Sequence, residues 1–144
     1  MTTDRATSSA PPSRTRLWPA RVITAIPVLF LLVDSVMKLL ALPVVTTSMT
    51  QLGYPAGLAR GLGVVLLACL ALYVIPGTSV LGAILLTGYL GGAVATHVRF
   101  GSPLISAVLF PVYVALLLWG GLYLRDARLR ALVPCRTFER PTQG

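Results

Sequence analysis

Long apolar runs separated by short breaks dominate the chain. There are four such runs, and they predict helices at about 22–42, 58–75, 78–98 and 104–124. Each run is close to the roughly 20 residues that cross a bilayer core of about 30 Å at 1.5 Å rise per residue. The pattern predicts an all-α fold, an integral membrane four-helix antiparallel bundle.

The breaks between the runs define one membrane domain, at 21–125, with a tail on each side. Pro76-Gly77 is a strong turn signal, so the second and third helices are predicted to be antiparallel neighbours. We interpret the uncharged stretch 43–57 as a link between the first two helices. The polar, arginine-containing ends predict a disordered basic tail at 1–20 and a basic cytoplasmic tail at 126–144.

Composition favours a membrane protein over a soluble one. Of the 144 residues, 56% are hydrophobic and 11% are charged, whereas an ordinary soluble domain has about 25% charged residues. The formal net charge is +8, but most arginines flank the apolar runs, which is typical of membrane topology and not of a nucleic-acid-binding face. Only Lys38, Arg60 and Arg99 lie between the flanks. We therefore predict both termini in the cytoplasm, the cell membrane as the location, the lipid bilayer as a partner and no nucleic acid.

Two charged residues lie inside the first apolar run. Asp34 and Lys38 are four residues apart, so they share one face of a helix in the favourable acid-before-base order. A charge at the centre of a membrane helix costs roughly 2.5–3.5 kcal/mol on insertion scales. One interpretation is an ion pair that only fixes helix packing. The other is a functional polar site inside the bundle.

Counting along the antiparallel helices brings further polar residues to the same depth. Arg60 opens the second helix and His97 ends the third, so both are predicted to join Asp34 and Lys38 in the outer half of the bundle. This buried polar cluster is our candidate ligand site, with Tyr89 and Tyr113 as possible lining residues; the list of candidate site residues is Asp34, Lys38, Arg60, His97, Tyr89 and Tyr113.

Motifs for common cofactors and metals are missing from the sequence. A single histidine excludes a haem held by two histidines, and no Cys/His cluster predicts a metal site. No cofactor is identifiable, although a quinone is compatible with the predicted polar cluster. The pairs Gly57/Gly61 and Gly88/Gly92 have the small-xxx-small spacing that predicts close helix packing.

Five segments of the sequence are distinctive: Asp34-Ser-Val-Met-Lys38-Leu, Gln51-Leu-Gly-Tyr-Pro55, Leu72-Tyr-Val-Ile-Pro76, the stretch from Leu81 to Arg99, and Leu109-Phe-Pro-Val-Tyr113. They are similar to the DoxX-like family of small bacterial membrane proteins, and the resemblance covers about residues 20 to 133. The chain departs from this resemblance at Leu66, where relatives often carry an acidic residue, and at Gly77, where they often carry a basic one.

The resemblance implies a four-helix membrane domain associated with membrane oxidoreductase systems, among them thiosulfate:quinone oxidoreductase. The resemblance implies no established set of catalytic residues, so no catalytic residue is assigned. We expect a redox-associated subunit that binds a quinone-like or other small apolar ligand and acts as an accessory subunit of a membrane oxidoreductase partner. The alternatives are a non-catalytic structural or assembly partner of another enzyme and a small transporter with Asp34 as proton relay.

Overall fold

The computed structural model describes residues 17–55, 57–126 and 129, and its regular elements over these residues are all helical. The helices are α1 (Leu17–Leu39), α2 (Pro43–Gln51), α3 (Leu58–Val74), α4 (Ser79–Arg99) and α5 (Leu109–Arg125), with a π-helical turn at Leu104–Val108 leading into α5. The two predicted tails lie almost wholly outside the described residues. The exceptions are residues 17–20, which are helical and belong to α1, and residues 126 and 129 at the other end.

The four long helices form the predicted bundle. Helix α1 packs against α3 and α5, and α4 packs against the same two helices, so the order around the bundle is α1, α3, α4, α5. Three segments are long and apolar enough to cross a membrane: Arg21–Leu39, Ser79–Arg99 and Leu104–Arg125. Helix α3, with 17 residues, is about 25 Å long and lies at the lower limit for a span.

Large apolar side chains cover the outside of the bundle. Exposed examples occur on every long helix, such as Leu29 on α1, Val64 on α3, Ile84 on α4 and Leu116 on α5. A soluble protein rarely exposes apolar surface on all sides, whereas lipid solvates it without penalty. The fold therefore agrees with the membrane location that the composition predicts.

A tightly packed core fills one end of the bundle, where α3 ends and α4 begins. Tyr73 is fully buried, and its hydroxyl donates across the bundle to the carbonyl oxygen of Leu118 at 2.8 Å. Gly82 packs directly on this residue, since a Cβ at position 82 would lie 2.2 Å from the Tyr73 nitrogen. Gly121 packs on Thr24 in a similar way, since a Cβ at position 121 would lie 2.3 Å from Oγ1 of Thr24. We call this region the packed end.

The glycine pairs chosen from the sequence do not make such contacts. A Cβ added at any of them would meet no atom within 4 Å, so the predicted close packing is wrong for Gly57, Gly61, Gly88 and Gly92. All four glycines lie on exposed positions of their helices. Spacing alone does not identify which face of a helix points at a neighbour.

The link between the first two predicted helices contains a helix of its own. Helix α1 ends at Leu39, where Ala41 takes a left-handed φ of 48° and the Leu42 and Ala41 amides donate to the carbonyls of Met37 and Lys38. These two bonds define a Schellman turn. Pro43 then begins α2, because proline is well tolerated at the first helical position. The same proline that ends the apolar run thus starts a new helix, which the prediction of a link missed.

Candidate functional site: a cavity with polar groups at the α2 end

A cavity of about 480 Å³ lies in the half of the bundle where α1 and α4 end. We call this half the α2 end, because Met49 of α2 and the following Leu52 and Tyr54 contribute to the cavity wall. Most of the lining is apolar and comes from α1, α4 and the start of α5. Cavities of this size and character are those in which proteins bind small organic ligands.

Asp34 and Lys38 form an ion pair on the cavity wall. The Lys38 ammonium donates to Oδ1 of Asp34 one helical turn away. Both residues belong to the inward face of α1, which also carries the buried Leu31 and Ser35. The Lys38 side chain is 11% exposed and that of Asp34 is 30% exposed. The pair is therefore turned toward the cavity, where each charge offsets the other.

His97 lines the same cavity from the last turn of α4. The chain turns back just after it, because Gly101 has a left-handed φ of 63° and the Ser102 amide donates to the His97 carbonyl at 3.0 Å. This Schellman turn brings the Ser102 hydroxyl to 3.1 Å from Nδ1 of His97. A hydrogen bond at Nδ1 fixes the imidazole and leaves Nε2 available for another partner.

Two tyrosines add hydroxyl groups to the wall. Tyr89 is half-buried and lines the cavity, and its hydroxyl has no hydrogen-bond partner among the residues that the structure describes. Tyr54 was not among the candidate site residues. Its hydroxyl lies 2.8 Å from Oγ1 of Thr96, which in turn donates to the Gly92 carbonyl. Tyr54 belongs to one of the family-like segments, and that segment was the available signal for it.

The structure does not bring Arg60 and Tyr113 to this cavity. Arg60 is exposed on the first turn of α3, whose buried face begins with Ala59 and Gly63. Tyr113 is 50% exposed on α5 and lies beside, not on, the buried positions Pro111 and Val114. Depth was the basis for the prediction of Arg60, and depth does not fix the direction of a side chain around a helix axis.

Gly88 and Gly92 create space on the α4 side of the cavity. Both line it, and a Cβ at either position would meet no atom within 4 Å. The opposite wall is aromatic, with the Phe30 and Phe110 rings edge to face at 5.0 Å. The cavity therefore combines apolar walls with a small number of hydrogen-bonding groups. Over the described residues no three His, Cys, Asp or Glu side chains cluster as a metal would require.

The four long apolar helices and the polar groups in their cavity define a small helical membrane protein with an internal ligand-sized site. The model of the DoxX-like family matches residues 22–121, a range that includes all four long helices. The chain belongs to the DoxX-like family. No curated protein and no solved structure matches it.

Proposed function

We propose that this chain is a redox-associated membrane subunit that binds a quinone-like or other small apolar ligand in the cavity at the α2 end. The observation that carries the proposal is the grouping of Lys38, Tyr89 and His97 on the wall of a mainly apolar cavity of about 480 Å³. Ligand pockets typically have this composition, with a few polar groups that orient a largely apolar molecule.

The chain's own residues supply the matching chemistry. A quinone presents two carbonyl oxygens, which accept hydrogen bonds, on a flat apolar ring. The Lys38 ammonium has three N–H donors and gives one of them to Asp34. The Tyr89 hydroxyl and the His97 imidazole are further groups that can donate. Asp34 would hold the ammonium in place and balance its charge, while Phe30 and Phe110 would contact the ring.

A cavity-filling variant tests ligand binding without disturbing the ion pair. Gly88→Leu would place a side chain in the cavity, and its first atom meets no neighbour within 4 Å. Gly91→Leu is the matched control, because Gly91 has equal free space on the same helix but does not line the cavity. We expect Gly88→Leu to weaken decylubiquinone binding at least tenfold, about 1.4 kcal/mol, and Gly91→Leu to leave it unchanged. Quenching of tryptophan fluorescence in one detergent measures both, and equal binding by the two variants would contradict the proposal.

The second candidate function is a non-catalytic structural or assembly partner of another enzyme. It is favoured by the ion pair being formed within a single helix, where Asp34 and Lys38 satisfy each other without a ligand. The double variant Asp34→Asn, Lys38→Met removes both charges and avoids leaving one unpaired. An assembly role predicts that this variant still captures its partner complex and binds decylubiquinone as the parent does. Loss of quinone binding with retained folding favours the ligand site.

The proposed orientation has both termini in the cytoplasm of a bacterial cell. Nine arginines lie beyond the ends of the apolar runs, whereas Arg60, Arg99 and Lys38 lie toward the α2 end. The positive-inside rule then places the α2 end outside. A green fluorescent protein fused at Gly144 should fluoresce, because this fusion folds in the cytoplasm and not after export; a dark fusion of equal abundance would reverse the orientation.

A further inference from the structure

A second, smaller cavity adjoins the first at the end of α4. Its volume is about 330 Å³, and we call it the Arg99 recess. Arg99 and Phe100 line it, together with four residues that also line the larger cavity: Leu52, Tyr54, Gly92 and Thr96.

The residues shared by the two cavities form a partly polar wall. It contains the hydrogen bond between the Tyr54 hydroxyl and Thr96 Oγ1, at 2.8 Å. Beside this bond stands Gly92, which has no side chain and no neighbour within 4 Å of the Cβ position. A molecule that reached from one cavity to the other would therefore pass hydroxyl groups and an open stretch of backbone, and no bulky side chain at position 92.

The recess carries the positive charge of Arg99. Arg99 is exposed, and its guanidinium lies 5.9 Å from the centre of the Phe100 ring. Within the described part of the chain no carboxylate pairs with it, since Asp34 is engaged by Lys38 and Asp126 follows α5 at the packed end. The larger cavity, by contrast, contains a neutralised pair and is mainly apolar. The two neighbouring cavities therefore differ in the chemistry they favour.

We infer that the Arg99 recess binds the anionic head of a single-chain amphiphile whose apolar part occupies the larger cavity. This inference rests on the proposed function, because it needs the larger cavity to accept a ligand, and it adds the charge of that ligand. A carboxylate or a phosphate fits the fork of N–H groups on Arg99. The amphiphile would come from the surrounding membrane. The competing ligand for the recess is a free inorganic anion.

Binding of two amphiphiles that differ only in the head group tests the inference. Radiolabelled dodecanoate and dodecanol are added at pH 9 to the full-length protein in phosphatidylcholine nanodiscs, and uptake is measured in excess of protein-free nanodiscs. We expect dodecanoate to bind about three- to tenfold tighter than dodecanol, as a charge-assisted but partly solvated contact predicts. Arg99→Gln should remove this preference while dodecanol binding stays the same.

Arg60→Gln is the matched control. It removes one exposed arginine from the same end of the bundle, but Arg60 lines neither cavity. General attraction of anions to the protein surface would weaken equally in both variants. Retention of the preference in Arg60→Gln and its loss in Arg99→Gln would support the recess as the head-group site.

The remaining outcomes separate the inference from the proposed function. If Arg99→Gln keeps the preference for dodecanoate, the inference is overturned while ligand binding in the larger cavity stands. If inorganic phosphate displaces dodecanoate at equal concentration, the recess is a site for free anions, which also overturns it. If neither amphiphile binds above protein-free nanodiscs and Gly88→Leu changes nothing, the proposed function itself fails.

Discussion

Two pairs of glycines, one pair at each end of the bundle, act in opposite ways. At the packed end, Gly82 and Gly121 allow a neighbouring helix to approach so closely that any Cβ would overlap it. At the α2 end, Gly88 and Gly92 face empty space and widen a cavity. Both ends belong to the same α-helical bundle, and α4 contributes glycines to each. A small residue in a membrane helix therefore marks either a contact or a void, and its neighbours determine which.

The polar groups follow the same division. At the packed end, the Tyr73 hydroxyl is satisfied by a backbone carbonyl, and the Arg125 guanidinium donates to the Tyr73 carbonyl at 2.8 Å. These bonds hold helices together. At the α2 end, Lys38, Tyr89 and His97 keep hydrogen-bonding capacity that the described residues do not use up. One end is thus built for stability, whereas the other has groups left over for a ligand.

The largest expected effect comes from filling a glycine contact at the packed end. Gly82→Ala should lower the free energy of unfolding by about 2 kcal/mol or more, because the added atom meets backbone that cannot rotate away. Gly88→Ala is the control at the α2 end, where the same change meets nothing and alanine is the better helix former. Thermal unfolding followed by circular dichroism in one detergent compares them. Equal melting temperatures would break the contrast between the two ends.

A smaller loss is expected from the hydrogen bond across the packed end. Tyr73→Phe keeps the ring but removes the donor to the Leu118 carbonyl, at an expected cost of about 1 kcal/mol. Tyr113→Phe removes an exposed hydroxyl on α5 that has no hydrogen-bond partner among the described residues, so it should change nothing. The same melting experiment measures both variants. A loss in Tyr113→Phe as large as in Tyr73→Phe would show that the buried bond contributes little.

The smallest expected effect is a gain at the α2 end. Ala41 holds a left-handed φ of 48°, a conformation that costs an alanine roughly 1 kcal/mol more than a glycine. Glycine also makes the unfolded chain more flexible, which offsets much of this gain, so Ala41→Gly should raise the melting temperature only slightly. Gly101→Ala is the reverse change at the equivalent turn after α4, where the left-handed φ is 63° and no neighbour crowds the Cβ position. It should lower the melting temperature by a similar amount, and a shift of the same sign in both variants would contradict this account.

Hydrophobic patterning predicts most of the fold. The predicted start of α3 at residue 58 agrees with the structure, and its predicted end and both predicted ends of α4 differ by one residue. The last predicted run corresponds to the π-helical turn together with α5. Run length and composition fix these elements because every helix must be apolar enough for lipid. Helix α2 was missed, because a short uncharged segment after a proline has no periodicity strong enough to separate it from a loop. Met49 of this helix and Leu52, which follows it, line the cavity, so the missed helix is also part of the site.

The site is predicted less completely than the fold. Four of the predicted site residues line one cavity: Asp34, Lys38, Tyr89 and His97. The sequence shows directly that two charges lie four residues apart on one helix, and it also indicates the depth at which a helix ends. Whether a side chain at the right depth also points inward depends on helix rotation, which excludes Arg60 and Tyr113 from the cavity. The Arg99 recess depends on the chain path after α2, and no short-range pattern encodes that path.

Helix α2 has a consequence for the rate of exchange at the cavity. It buries none of its residues completely, and it is bounded by left-handed turns at Ala41 and Gly53. A segment with so few buried contacts opens locally at much lower free energy than a helix bundle unfolds. Backbone amides in α2 should therefore exchange hydrogen for deuterium faster than those of the four long helices. The residence time of a ligand in the cavity is then set by the opening of α2, whereas the lifetime of the fold is set by the four long helices.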